Sequence, residues 1–351
     1  MVGAGAPAPV DPATAERDFW ERYHAFRRAR QEAARPDDPL NNDAEEEALL
    51  TRHDPFQFHE RFEVTRDGEM VGWFEGTGVP PTSPEYETNK HLYDADLYVL
   101  PSRRRSGVGS SFLPVIVRMM DRHGATTVGF WAEEESGHEF LKWVGAAPKM
   151  SSIESRLKMA EVDWPMLERW VAEGTQRSPQ TKLEVYDGPL PEAMWTDYTP
   201  QLSSMLNTIP FEDLDHGEIV VTPEMMREFY ARAEVTGGVL HTVMTREPDG
   251  VISGITDTLW APYHRTIVYQ QFTGVRPSAR GRGLGKWIKA AMLLHLRELY
   301  PGVEWVATDN AGSNAPMLKI NRAMGFKAYR QGTAYQITRD ALAERLATVS
   351  R

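Results

Sequence analysis

Sliding the chain along itself by about half its length sets it in register with itself, and this repeat limits the folds open to it. When Arg104 is laid on Arg280, Val99 meets Val275, Pro101 meets Pro277, Ser102 meets Ser278, Gly107 meets Gly283 and Gly109 meets Gly285. These six identities fall between Leu97–Phe112 and Thr273–Ile288, where roughly one would be expected by chance. Glycine matches alone could reflect turn requirements, but the Val, Pro and Arg matches are not demanded by any turn. A chain of 351 residues therefore reads as one architecture used twice.

Each copy carries the same order of elements. In the first, a helix over 14–33 ends at the prolines Pro36 and Pro39, and a short acidic helix covers Asp43–Leu50. A hairpin follows around Asp67-Gly68, then strand Leu92–Leu100, helix Val108–Met120, strand Thr126–Trp131, helix Glu134–Val144 and strand Ser151–Val162. In the second, strand Leu183–Tyr186 precedes helices Glu192–Leu206 and Pro223–Ala233, and a hairpin turns at Asp249-Gly250. Strand Thr266–Val275, helix Leu284–Leu299, strand Val303–Ala307, helix Ala315–Ala323 and strand Phe326–Ile337 complete it. The fold class is mixed α/β. The expected division is a flexible tail over 1–12, a domain over 13–177 and a second over 178–351. Helix Asp163–Arg177 serves as the linker.

Composition narrows the function. With 41% hydrophobic residues there is material for two cores, and zero cysteines exclude a disulfide scaffold, a thiolate metal site and a cysteine nucleophile. No metal site is read from the sequence. A net charge of −11 argues against a broad nucleic-acid surface. No run reaches membrane-span length and no signal-peptide pattern opens the chain, so a cytoplasmic location with no membrane partner is expected.

The second copy has the stronger loop: Val275-Arg-Pro-Ser-Ala-Arg280-Gly281-Arg282-Gly283-Leu284-Gly285-Lys286. A strand end, a basic glycine loop and a helix start bring backbone N–H groups and helix dipole to one anion. It matches neither the dinucleotide fingerprint nor an NTPase loop. Further on stands Asn310-Ala-Gly-Ser-Asn314-Ala-Pro-Met317-Leu-Lys-Ile-Asn321-Arg-Ala-Met-Gly325-Phe326. Together these stretches resemble the GNAT superfamily of N-acyltransferases, in the tandem form typified by mycothiol-synthase-like members.

The resemblance implies a central splayed sheet flanked by helices in each domain. It implies acetyl-CoA or another acyl-CoA as donor, and the amine of a small metabolite as acceptor. Pantetheine would pair along Phe272, Thr273, Gly274 and Val275. The pyrophosphate would rest on Arg280, Gly281, Arg282, Gly283, Leu284, Gly285 and Lys286, with Asn314 and Met317 near the pantetheine arm. Asn314 can equally cap the following helix.

The family's strand Glu and helix Tyr are missing. The strand reads Tyr269-Gln270-Gln271, and Asn321 stands at the Tyr position. Direct aminolysis is therefore expected, with Asp257, Tyr269, Gln271 and Asn321 as the catalytic candidates and Thr208–Glu218 as the acceptor loop. The first copy keeps Arg103–Arg105, Gly107 and Gly109 and offers Asp94 and Asp96, yet has Gly145-Ala146 in place of Gly-Phe. It reads as a degenerate scaffold. Competing readings are a non-catalytic acyl-CoA sensor and a transferase fed by a carrier protein or aminoacyl-tRNA. Oligomeric state is not readable.

Overall fold

The computed structural model describes residues 5–349, and they divide into two compact units. Unit 1 holds residues up to 151, together with 212–218 and 332–351, and unit 2 holds 152–211 and 219–331. Neither unit is one uninterrupted half of the chain.

Unit 1 begins with β1 (Ala8–Val10), α1 (Arg17–Ala34), α2 (Asp43–Thr51), β2 (Phe58–Arg66) and β3 (Glu69–Gly78). Then come α3 (Tyr86–Asn89), β4 (Leu92–Val99), α4 (Val108–His123), β5 (Thr127–Ala132) and α5 (Glu135–Val144). The β2–β3 turn is two residues long, and Asp67 and Gly68 both have positive φ, as a tight hairpin needs. Val108, Phe112, Ile116 and Met119 put one face of α4 into a core shared with Phe74, Tyr93 and Val128. β4 and β5 run parallel for only four residues, Leu92↔Thr127 to Ala95↔Phe130. Beyond that point β4 stays on β3 as far as Val99.

The chain then enters β6 (Ala147–Lys158), whose residues from 152 onward belong to unit 2. There follow α6 (Trp164–Arg177), β7 (Lys182–Asp187), α7 (Glu192–Leu206), α8 (Pro223–Val235), β8 (Val239–Arg246) and β9 (Ile252–Trp260). After these come β10 (Ile267–Val275), α9 (Leu284–Leu299), β11 (Trp305–Ala311), α10 (Ala315–Met324), β12 (Lys327–Thr338) and α11 (Arg339–Val349). Leu284, Ile288, Met292 and Leu296 of α9 are all buried. As in the first copy, the parallel pairing of β10 with β11 spans four residues, Ile267↔Trp305 to Gln270↔Thr308, before the two strands part.

Three expectations are corrected. Of the tail over 1–12, residues 1–4 lie outside the described residues, while Ala8–Val10 pairs antiparallel with β2 and Pro12 is buried. Backbone pairing orders this segment despite its meagre side chains. Helix α6 is no linker: Gly174 lets Trp287 lie against it so closely that an added Cβ would stand 2.3 Å from the ring. Trp164, Trp170 and Val171 pack on the core that holds Ile288 and Met292. Finally, the halves trade segments. Residues 152–158 pair with β11 in unit 2, and residues 333–338 pair with β5 in unit 1. Leu342, Tyr335 and Ile337 are core residues of unit 1.

The 212–218 segment is likewise tied into unit 1. Gln336 and Asp215 exchange two hydrogen bonds of 2.8 Å, and the Gly217 N–H donates to Asn89 Oδ1 at 3.0 Å. Cutting the chain near Gln176–Gln180 is therefore expected to leave nicked protein whose pieces stay together. Truncation after Gln331 is expected to unfold unit 1, since each large buried side chain lost costs about 2–5 kcal/mol against a marginal total. Hydrogen exchange on β4 and β5 checks it.

Candidate functional site

In unit 2 the ladder between β9 and β10 is regular from Val268↔Trp260 to Gln270↔Thr258, then resumes at Thr273↔Thr256. One extra residue is taken up on β10, a bulge that sets Gln271 and Phe272 opposite Asp257. The β3–β4 ladder of unit 1 has no such interruption from Gly72↔Val99 to Thr77↔Asp94. The two copies therefore differ at the point where their parallel strands part. The sequence repeat becomes visible only just beyond this point, at Leu97 and Thr273.

Below the bulge, the loop folds as its glycines allow. Gly281 and Gly283 have φ of 82° and 83°, where a side chain is disfavoured. Gly283 is the N-cap of α9, so the first-turn N–H groups of Leu284, Gly285 and Lys286 have no helical carbonyl to bond. Arg280 is held by the Val275 carbonyl and by Thr208 Oγ1, each at 3.2 Å. It has no carboxylate partner among the described residues. Lys286 Nζ lies over the Trp170 ring. Arg282, expected to lie against the pyrophosphate, is engaged by Glu247 at 2.8 Å and by Ser178 and Thr181. First-turn amides flanked by Arg280 and Lys286 suit a pyrophosphate.

The first-copy loop has carboxylates beside its arginines. Arg104 donates to the Val99 carbonyl at 3.2 Å, just as Arg280 does to Val275. However, Glu134 sits 2.7 Å from the Arg104 guanidinium, and Glu139 pairs with Arg105. Arg105 adopts a φ of 58°, whereas its counterpart Gly281 takes the same region without a side chain.

Asp257 is the most perturbed carboxyl of unit 2. Burial pushes it up to about 7, with a Thr242 hydrogen bond opposing, and its Oδ1 is buried without a hydrogen-bond partner. It lies near enough to Tyr198 and Tyr230 to raise both phenols, which burial has already pushed up. Gln271 is exposed, and Phe272 and Gly274 lie so that a Cβ on Gly274 would strike the Phe272 ring. Tyr269 packs beside His264. Asn321 is buried on α10 and donates to Asn310 Oδ1 at 2.7 Å, leaving its own Oδ1 without a partner. Asn314 caps α10, its side chain accepting from the Met317 N–H. Strand pairing thus brings Asp257, Gln271 and Phe272 together, while Asn321 stands on a separate element beside β11.

Sequence reasoning missed Lys289. It is 1% exposed, and its Nζ donates to Gln270 Oε1 at 2.9 Å. Burial lowers this ammonium to about 7. The clue was present: in the register of the repeat Lys289 falls on Leu113, itself fully buried. The unfolded chain holds this proton up to about 10.5, and the folded chain releases it near 7. Stability should therefore fall as pH drops from 10.5 to 7 and be flat below. Lys289→Met is expected to flatten that limb and to stabilise unit 2 at pH 7.5, as read from urea unfolding at several pH values.

Elsewhere in unit 2, Asp187 Oδ1 meets His241 Nδ1 at 2.6 Å and His295 Nε2 at 2.7 Å, and His241 Nε2 meets the Tyr300 hydroxyl at 2.8 Å. This polar group ties β7 and β8 to α9. In unit 1, burial raises the Asp94 carboxyl and His216 opposes the shift. No helix among the described residues is long and apolar enough to cross a membrane.

Residues 18–145 match the family model described as acetyltransferase (GNAT) family. The mycothiol acetyltransferase of Saccharomonospora viridis is 23% identical over 248 residues, 69% of this chain and 73% of that protein. Among solved structures, a tandem GNAT protein from the clavulanic acid biosynthesis pathway superposes with a TM-score of 0.72 at 18% identity, covering 95% of this chain and 98% of that one. A GCN5-related N-acetyltransferase from Sphaerobacter thermophilus gives 0.62 at 16% identity, covering 96% and 95%. These two structures share the fold along nearly the whole chain.

Proposed function

We propose, from the premise that this chain is a tandem protein of the GNAT superfamily, that it is an acyl-CoA-dependent N-acyltransferase whose chemistry takes place in unit 2. The donor is acetyl-CoA or a close acyl-CoA, and the acceptor is the amine of a small cytoplasmic metabolite. One observation carries the assignment to unit 2. The strand bulge occurs there beside a glycine loop whose Arg280 has no carboxylate partner among the described residues, while in the first copy Glu134 pairs with Arg104 and the strand is unbulged.

In this reading the Gly281–Lys286 amides hold the pyrophosphate, with Arg280 beside them. The β10 edge from Phe272 to Val275 pairs with the pantetheine, as an added strand would. Asp257 accepts the proton of the incoming ammonium, so that the neutral nitrogen can attack the thioester carbon. As the carbon–sulfur bond breaks, a second proton from that nitrogen goes to the departing thiolate. A carboxyl near 7 is half ionised at neutral pH, which suits proton transfer in either direction. Unaided aminolysis, expected from the missing Glu and Tyr, needs no such group and is the alternative outcome.

A second reading is favoured by one fact: the family model matches the first copy, residues 18–145. In that case unit 1 binds the donor and the raised carboxyl of Asp94 serves it. Incubating the protein with acetyl-CoA and a panel of primary amines, and following free CoA thiol, tests the activity. Release that depends on the amine supports a transferase, and tight CoA binding without release points to a sensor.

A further inference from the structure

Lys289 has no place in the chemistry just described, and burying it is costly. Its surroundings are specific. Gln270, whose Oε1 accepts from Lys289, donates from Nε2 to Thr256 Oγ1 at 2.7 Å and to the Asp257 main-chain carbonyl at 3.0 Å. Thr256 Oγ1 in turn meets Thr273 Oγ1 at 2.7 Å. Gln270 and Thr273 are the last regular residue before the bulge and the first after it, and Thr256 and Thr258 are their partners on β9. The network therefore spans the bulge from the α9 side of the sheet and grips the backbone of the residue opposite it.

The first copy serves as an internal control. There the parallel-strand register places Ala95 where Gln270 stands, the helix offers Leu113 in place of Lys289, and the ladder runs on without a bulge. Amide, ammonium and bulge are present together in one copy and absent together from the other. The first copy fills this place with the apolar pair Ala95 and Leu113, and replacing a buried polar network by apolar residues of similar volume is often neutral or stabilising.

We propose that Lys289 is a positioning residue. Through Gln270 it fixes the β10 bulge and the backbone of Asp257, so that the thioester edge and the carboxyl face each other in one geometry. Lys289 need not touch either substrate. Its near-neutral ammonium is consistent with this, because donation to Gln270 requires only an N–H, which the neutral amine retains.

The inference rests on the proposed function, and the test separates the two. Lys289→Met and the first-copy pair Lys289→Leu with Gln270→Ala are each compared with wild type for acyl-CoA affinity, kcat, KM and hydrogen exchange at Gln271–Thr273. The expected result is a protein at least as stable as wild type, with acyl-CoA affinity within about threefold. The kcat should fall about 10–100-fold, because misplacing reacting groups by even 1 Å carries penalties of that order. Exchange at the bulge amides should rise about tenfold. Gln270→Glu keeps an acceptor for Lys289 but not the donors to Thr256 and Asp257, and should show the same loss of kcat. Full kcat in a folded Lys289→Met protein overturns the proposal. If wild type turns over no amine, the proposed function fails, and the exchange measurement still decides whether Lys289 holds the bulge. Unchanged exchange there overturns the positioning role.

Discussion

Gly283→Asp is expected to abolish acyl-CoA binding, raising the dissociation constant at least about a hundredfold, roughly 2.7 kcal/mol. The carboxylate would sit at the N-terminus of α9, repelling a pyrophosphate where the helix dipole otherwise attracts it. The same change at Gly107 should leave most binding intact. Both glycines are N-caps with φ near 83°, so backbone strain is matched, although a side chain at 283 would also meet the Arg177 guanidinium at 3.2 Å. Titration calorimetry with CoA reads the result. If Gly107→Asp is the damaging change, the donor lies in unit 1 and the second reading holds.

Asp257→Asn carries the other large effect. With Asp257 as base, kcat/KM should rise with pH through about 7, the value to which burial pushes this carboxyl. The variant should lose about 10²–10⁴-fold while still binding CoA, and the limb near 7 should vanish with it. A variant that retains activity, with a rate following only the amine's own ionisation, restores unaided aminolysis. Asn321→Ala should cost far less. Asn321 orients Asn310 through one hydrogen bond and has no proton to exchange near neutral pH.

The parts legible in the sequence are those whose physics is local. Asp67-Gly68 and Asp249-Gly250 announce hairpins because few residues tolerate their backbone angles, and both turns form, with Gly68 and Gly250 at positive φ. The four-residue spacing from Leu284 to Leu296 gave α9 its ends because periodicity and burial agree. Partner choice is not local. Residues 152–158 and 333–338 have strand-like patterns that would suit either sheet, and only the folded chain shows which sheet each joins.

The site was divided in the same way. The glycine loop could be read because conformation dictates composition there. The bulge could not, since Gln271 and Phe272 carry no mark of it and only the ladder reveals the extra residue. That Arg282 is paired could not be read, because its partner Glu247 stands thirty-odd positions away in the chain. Asp257 was named as a candidate from its strand alone. What raises its carboxyl is burial beside Tyr198 and Tyr230, helix residues far from it in sequence.

The traded segments also set an order in time. A ribosome releases this chain from its N-terminus, and domains made that way ordinarily fold in the order they emerge. Here unit 2 has all its residues once position 331 has been made, whereas unit 1 still awaits 332–351. The part encoded first is thus the last that can close. During synthesis β5 waits with an open edge for residues 333–338, and an unpaired edge is where a nascent strand finds wrong partners. Slowing translation through the codons for 332–349 should prolong that interval, and a synonymous change there would then alter the yield of folded protein without altering one residue of it.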